Sequence, residues 1–218
     1  ADGEYAALCA AGVFSFEDGL KLVQCLAEGC QQMGSDTKQA SMMLFGLNKI
    51  ELEKLCVQAA KKGVSGGFCQ IAGEFVPKCF EVACAGASIL ALKDLAGKAG
   101  ALHTQLSSSV GYHSSLMKPA QAKLNEALSE MLPRMKPNRI AVYISTAVGP
   151  LQPGTHPKTF VRLLLKQMTT KALWEASVRS MIKHGVTGFY EVGHGQWLMD
   201  SIGRIDSKVW HNTYNVAV

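Results

Sequence analysis

The side chains most able to do chemistry in this 218-residue sequence are its thiols and one histidine. The cysteines number seven, an odd count: Cys9, Cys25, Cys30, Cys56, Cys69, Cys79 and Cys84. None forms a C-x-x-C pair and no histidine lies at zinc-finger spacing, so no metal site is expected. Most sit in apolar runs, where a free cysteine behaves as a small buried hydrophobe. That usage points to a reducing compartment. Cys9 lies in one such run and reads as core. His113 differs from them. It opens the stretch His113-Ser114-Ser115-Leu116-Met117-Lys118-Pro119-Ala120, at a junction between a loop and a helix. Taken alone, it has an ordinary reading as a polar junction residue.

The elements that must position these residues follow from periodicity and capping. Ser15-Phe16-Glu17-Asp18 is a helix start with Ser15 as N-cap. Leu20, Val23, Leu26, Cys30 and Met33 then recur at helical spacing, and Gly34-Ser35 is expected to end the helix. Ser41 to Phe45 reads as a strand and Lys49 to Lys62 as a helix stopped by Gly63. The apolar positions of that helix are Ile50, Leu52, Leu55 and Val57. Gly67 to Ala72 and Phe80 to Ala85 read as two short strands. Ala87 to Ala99 is a second helix, and Ala101 to Leu106 a last strand. The β-α-β-β-α-β order over 40–107 is the ferredoxin-like pattern, a four-stranded sheet covered by two helices. A long helix follows, near Ser115 to Met131, broken at Pro133. Ile140 to Ser145 reads as a buried strand. Helices are expected near Phe160 to Met168, Leu173 to His184 and Trp197 to Ile205, with a strand at Gly188 to Val192. Strands alternating with helices imply a mainly parallel α/β layer. The fold class is therefore α/β, a larger mainly parallel, hydrolase-like subdomain with an inserted ferredoxin-like βαββαβ subdomain.

Composition narrows the function classes. Hydrophobic residues make up 48% and charged residues 18%, which allows a core of ordinary size. No apolar run nears the roughly 20 residues of a membrane span, and residues 1–4 do not resemble a signal peptide. The formal charge of +5 mildly favours acidic partners. Basic residues are scattered and not interleaved with aromatics, so nucleic acid is not an expected partner.

Four stretches, in order and in register, resemble the malonyl-CoA:acyl-carrier-protein transacylase family. Gly3-Glu4-Tyr5-Ala6-Ala7-Leu8 matches the end of the family's G-H-S-L-G-E-Y-A-A-L nucleophile elbow. His113 to Ala120 matches its H-S-x-L-M-x-P-A. Leu165-Lys166-Gln167-Met168 precedes Trp174-Glu175-Ala176-Ser177-Val178 at the family's distance. Tyr190-Glu191-Val192-Gly193-His194-Gly195 matches its E-V-G-P-G. The resemblance runs to about residue 206. It implies a large acyltransferase subdomain from 1–39 and 108–206, a small subdomain at 40–107, and a C-terminal tail at 207–218. It also implies that the opening strands of the domain lie upstream, or that a partner covers the surfaces they would cover.

Roles carry over by position. In the family a serine attacks an acyl thioester, a histidine activates it, a backbone carbonyl orients the histidine, and an arginine holds the malonyl carboxylate. His113 stands at the general-base position and Gln167 at the His-orienting position. The departures are chemical. The nucleophile position falls on Ala1, whose methyl group cannot attack a thioester. The neighbouring oxyanion-hole position falls on Asp2, whose carboxylate would repel a developing oxyanion. The carboxylate-binding arginine falls on Leu26, which cannot make forked, charge-assisted bonds. The family's Asn-rich N-x-N-x-P-G appears as Gly73-Glu74-Phe75-Val76-Pro77-Lys78. Neither Ser108 nor Ser109 matches an elbow. The implied protein is a transacylase relative without catalysis, serving as a structural or binding subunit. The alternative is an active acyl-CoA:acyl-carrier-protein acyltransferase whose nucleophile region is missing or misread. An acyl carrier protein or CoA thioester, and protein partners in a larger assembly, are the implied partners. No cofactor and no metal are implied. Eukaryotic members work in mitochondria or plastids, which makes an organelle the expected setting.

Overall fold

The computed structural model describes residues 2–36, 38–63 and 67–218. Helix α1 covers Asp2–Ala10 and α2 covers Phe16–Asp36. The Ser15 hydroxyl accepts from the Asp18 N–H at 3.1 Å, so the N-cap read from sequence is in place. The helix runs past Gly34 instead of stopping there. A mid-helix glycine costs only about 1 kcal/mol, and Gly34 packs closely on Val110, 3.1 Å from where a Cβ would stand.

The sheet begins with β1 (Gln39–Phe45), followed by α3 (Lys49–Lys62), β2 (Phe68–Val76), β3 (Cys79–Ala85), α4 (Ser88–Lys98) and β4 (His103–Ser108). The strands pair antiparallel in the order β4-β1-β3-β2, the ferredoxin-like arrangement expected. Met42, Leu44, Val82 and Cys84 on the strands share one buried cluster with Leu52, Cys56 and Ala59 of α3 and Leu92 and Ala96 of α4. Ile50 and Val57, expected on the apolar face of α3, are exposed. The face that packs is Leu52, Cys56, Ala59, a 3.6-residue repeat.

Beyond β4 come α5 (Lys118–Met131), α6 (Pro157–Thr169), β5 (Ala172–Leu173), α7 (Trp174–Lys183), β6 (Phe189–Val192), α8 (Trp197–Ile205) and β7 (Thr213–Val216). A second apolar cluster joins α1, α2, α5 and α6 through Tyr5, Leu8, Leu22, Leu26, Leu124, Leu128, Phe160 and Leu164. Close helix contact is made possible at Gly29, where an added Cβ would lie 3.2 Å from the Cβ of Ala120. A third cluster brings Val178, Ile202 and Ile205 against Val76 and Cys79.

One expectation changes. Ile140 to Ser145 forms no strand; it makes a single antiparallel bridge, Val142 to Leu151. Apolar Val142 and Ile144 are buried there, but a strand also needs a neighbour to take its alternate N–H and C=O groups. The chain keeps the expected α/β class, a mixed sheet with helices. Among the described residues its parallel pairings are β5 on β2 and β6 on β7. In the tail, Thr213–Val216 pairs in register with Phe189–Val192. The Asn215 side-chain amide adds bonds to the carbonyls of Gly193 at 3.2 Å and Gly195 at 2.5 Å.

Candidate active site

The loop ahead of α5 delivers His113. It is tied to β1 twice: the Gly111 N–H donates to Gln39 Oε1 at 3.0 Å, and the Ser41 hydroxyl donates to the Val110 carbonyl at 2.9 Å. A side chain at Gly111 would collide with Leu116, 2.6 Å from its Cβ. Ser114 donates to the Gly111 carbonyl at 2.6 Å and caps the 3-10 turn Ser115–Met117. These bonds hold His113 at φ +57, a left-handed conformation unusual for a residue with a side chain. Such strain persists only where surrounding contacts over-determine it, and it concentrates at functional positions.

His113 is 6% exposed. Its Nδ1 lies 2.8 Å from the backbone carbonyl of Gln167, an acceptor, so Nδ1 carries the proton of the neutral ring and Nε2 is left with its lone pair. The Tyr112 ring meets the imidazole edge-on at 4.4 Å between centroids. Burial disfavours the imidazolium and lowers the His113 pKa to about 4, against the opposing pull of the Gln167 carbonyl. The ring is thus a neutral base with a fixed tautomer, which is what proton abstraction by Nε2 would need.

Gln167 lies on α6 and is completely buried. Its amide nitrogen donates to Glu4 Oε2 of α1. Glu4 Oε1 accepts from the Ser145 N–H at 2.9 Å, and the Ser145 carbonyl accepts from Leu173 N–H at 2.8 Å. Gln167 Oε1 has no hydrogen-bond partner among the described residues. Glu4 therefore pins together α1, the turn at Ser145 and the helix whose carbonyl orients the imidazole. Sequence reading uses Glu4 only as part of a matching stretch. The signal available was a carboxylate directly before the buried Tyr5 and Leu8.

The remaining positions divide. Ala1 lies outside the described residues, and Asp2 is the first residue of α1. Leu26 is 4% exposed and sits in the apolar cluster with Leu22, Met117 and Ala120, on the layer next to the His113 turn. Cys9 donates to the Ser15 carbonyl at 3.6 Å and burial raises its thiol pKa, so it is not an activated nucleophile. Among the described residues no cluster of three metal-ligating side chains occurs, and no helix is long and apolar enough to cross a membrane.

A ferredoxin-like unit lies beside a helical layer, with a buried histidine bonded to a backbone carbonyl where the two meet, an arrangement of the α/β class. No protein-family model matches the sequence. The Escherichia coli K12 malonyl CoA-acyl carrier protein transacylase is 32% identical over 212 residues, covering 93% of this chain and 63% of that protein. The mouse mitochondrial malonyl-CoA-acyl carrier protein transacylase is 28% identical, covering 99% of this chain and 58% of that protein. The acyl-carrier-protein-S-malonyltransferase of Bartonella henselae superposes with a TM-score of 0.88 at 26% identity, over 99% of this chain and 66% of that one. The chain belongs to the malonyl-CoA:acyl-carrier-protein transacylase family. It spans about six-tenths of the length of the curated relatives it matches.

Proposed function

We propose that this chain is a transacylase-family protein without transacylase activity, acting as a structural or binding subunit of a larger complex. The observation that carries this reading is Ala1 at the nucleophile position. Loss of the nucleophile from a hydrolase triad costs on the order of 10⁶ in turnover. Leu26 supports it, because a buried leucine among apolar neighbours cannot neutralise a malonyl carboxylate. On this reading, residues 1–39 and 108–206 form the large subdomain and 40–107 the small one. An acyl carrier protein or a CoA thioester is the ligand class, and the mitochondrion, named for the mouse and human relatives, is the setting. The test is transfer of the malonyl group from malonyl-CoA to an acyl carrier protein by the full chain. No transfer above a heat-killed control is expected. Transfer that His113→Ala abolishes would overturn the reading.

A second reading has one observation in its favour. His113 retains a neutral, oriented imidazole, although a protein without catalysis has no use for one. An active acyltransferase whose nucleophile region differs from residues 1–2 as printed would have that use. Sequencing the native protein ahead of Gly3 separates the two, since Gly-His-Ser there would restore the enzyme.

A further inference from the structure

The small subdomain holds a thiol group that the acyltransferase chemistry does not use. Cys69 on β2 and Cys84 on β3 stand directly opposite in the antiparallel ladder. Their sulfurs are 3.3 Å apart. Cys56 on α3 belongs to the buried cluster that includes Cys84 and against which Cys69 packs. Opposed residues in such a ladder have Cα atoms about 4.5 or 5.5 Å apart, and both values fall within the span a disulfide bridges. The two sulfurs need only close from 3.3 Å to about 2.05 Å. Cys84 is fully buried, whereas Cys69 is partly exposed and offers the entry point.

We propose that Cys69 and Cys84 are a reversible dithiol–disulfide site, oxidised by small disulfides such as oxidised glutathione. The Cys69 thiolate attacks one sulfur of the oxidant and expels a glutathione thiolate. Cys84 attacks the Cys69 sulfur of the mixed disulfide and expels the second glutathione, its proton passing to the departing glutathione thiolate. Two protein thiols are oxidised and one small disulfide is reduced to two thiols. Hydrogen bonding with the sulfurs of Cys56 and Cys84, together with burial, holds the Cys69 pKa well above the ordinary thiol value. Little thiolate is present at neutral pH, so exchange with oxidised glutathione is slow and quickens as pH rises. The bond would staple the β2–β3 hairpin that forms the centre of the sheet.

The full chain is incubated with oxidised glutathione, alkylated, and mapped by peptide mass spectrometry, with thiols counted in denaturant. The expected product is an intrachain Cys69–Cys84 disulfide, two fewer thiols than the seven present, and full reversal by dithiothreitol. Closing a loop of this size should raise the melting temperature by roughly 5–10 °C. Cys84→Ala should stop the reaction at a Cys69–glutathione adduct. Cys69→Ser leaves a smaller hydroxyl at a partly exposed position and should abolish both products without loss of the melt. A disulfide joining other cysteines, or a wild-type protein that ends as the glutathione adduct or unmodified, overturns the proposal.

Discussion

The four-stranded unit and the histidine layer are built on different principles. Between Gln39 and Ser108, strands β1–β4 pair with one another inside one run of chain, β2 alone adding an outside neighbour in β5, and one cluster of apolar residues fills the space beneath two helices. The histidine layer draws on residues far apart: His113 bonds to a carbonyl 54 positions away, and Glu4 reaches an amide 163 positions away. Local pairing makes the first region a self-consistent unit. The second depends on polar bonds among segments that periodicity cannot relate. The comparison predicts that substitutions in the histidine layer act over long range, while those in the sheet unit stay local.

The largest effect is expected at Leu26. Leu26→Arg places a charge within an apolar cluster. An uncompensated buried charge costs about 3–5 kcal/mol, which should lower the melting temperature by roughly 10 °C in a chain of this size. If the variant melts within a degree of the parent, Leu26 borders polar space, as a carboxylate site would require.

A comparable effect should appear with pH. His113 has a folded-state pKa of about 4 and an unfolded value near 6.5. Between the two, the unfolded chain holds a proton that the folded chain lacks. The contribution of the neutral ring is therefore complete above about pH 6.5 and is lost as pH falls toward 4. The total is about 3.5 kcal/mol at most, from roughly 1.4 kcal/mol per unit. Urea unfolding across that window should show a slope that His113→Asn reduces. An identical slope in both proteins would mean that the ring is solvated.

The fold was legible wherever one short window held the whole signal. Ser15 as a cap, the alternation in 40–107 and the helix at Trp197 all announce themselves through spacing within a dozen residues. Ile140 to Ser145 misled because buried Val142 and Ile144 look the same in a strand as in an irregular buried segment. Thr213–Val216 escaped notice because four residues are too few for a period, and its pairing partner lies more than twenty residues earlier. In the site, the flanking stretches single out His113 and Gln167, which the fold brings into contact. The meaning of Glu4 was hidden, because its bonds to Ser145 and Gln167 exist only after folding.

That bridge gives a third, smaller effect. Glu4→Ala would leave the Ser145 N–H and the Gln167 amide without their acceptor. An abandoned buried donor costs about 1–3 kcal/mol. The imidazole should register the change as well, since Gln167 would no longer be held from α1. Ring ¹⁵N shifts of His113 should move toward tautomer averaging. A loss of stability with an unchanged imidazole would make Glu4 a packing residue with no influence on the site.

The smallest effect tests the locality of the sheet unit. Asn48 precedes α3 in an extended conformation, φ −84 and ψ 162, and its side chain accepts from the Glu51 N–H at 2.9 Å. Replacing an N-cap of this kind with alanine costs typically about 1 kcal/mol. The cap is exposed, so no cavity opens and the loss is confined to the first turn of α3. From there it passes first through the packing of Leu52, Cys56 and Ala59 against the sheet. Hydrogen exchange in Asn48→Ala should therefore quicken for amides of α3 and of the strands beneath it. Amides of α5 and α6, and the ring shifts of His113, should stay as in the parent. The connection that could carry the change further is β5 on β2, with Lys171 paired to Glu74 and Lys49 on the same carboxylate oxygen. Lys49 is the residue next to the lost cap, so this is the route by which locality would fail. If the His113 resonances shift in Asn48→Ala and return to the parent values when Glu74→Gln is added, the two regions are coupled through that cluster, and the contrast between a local unit and a long-range layer does not hold.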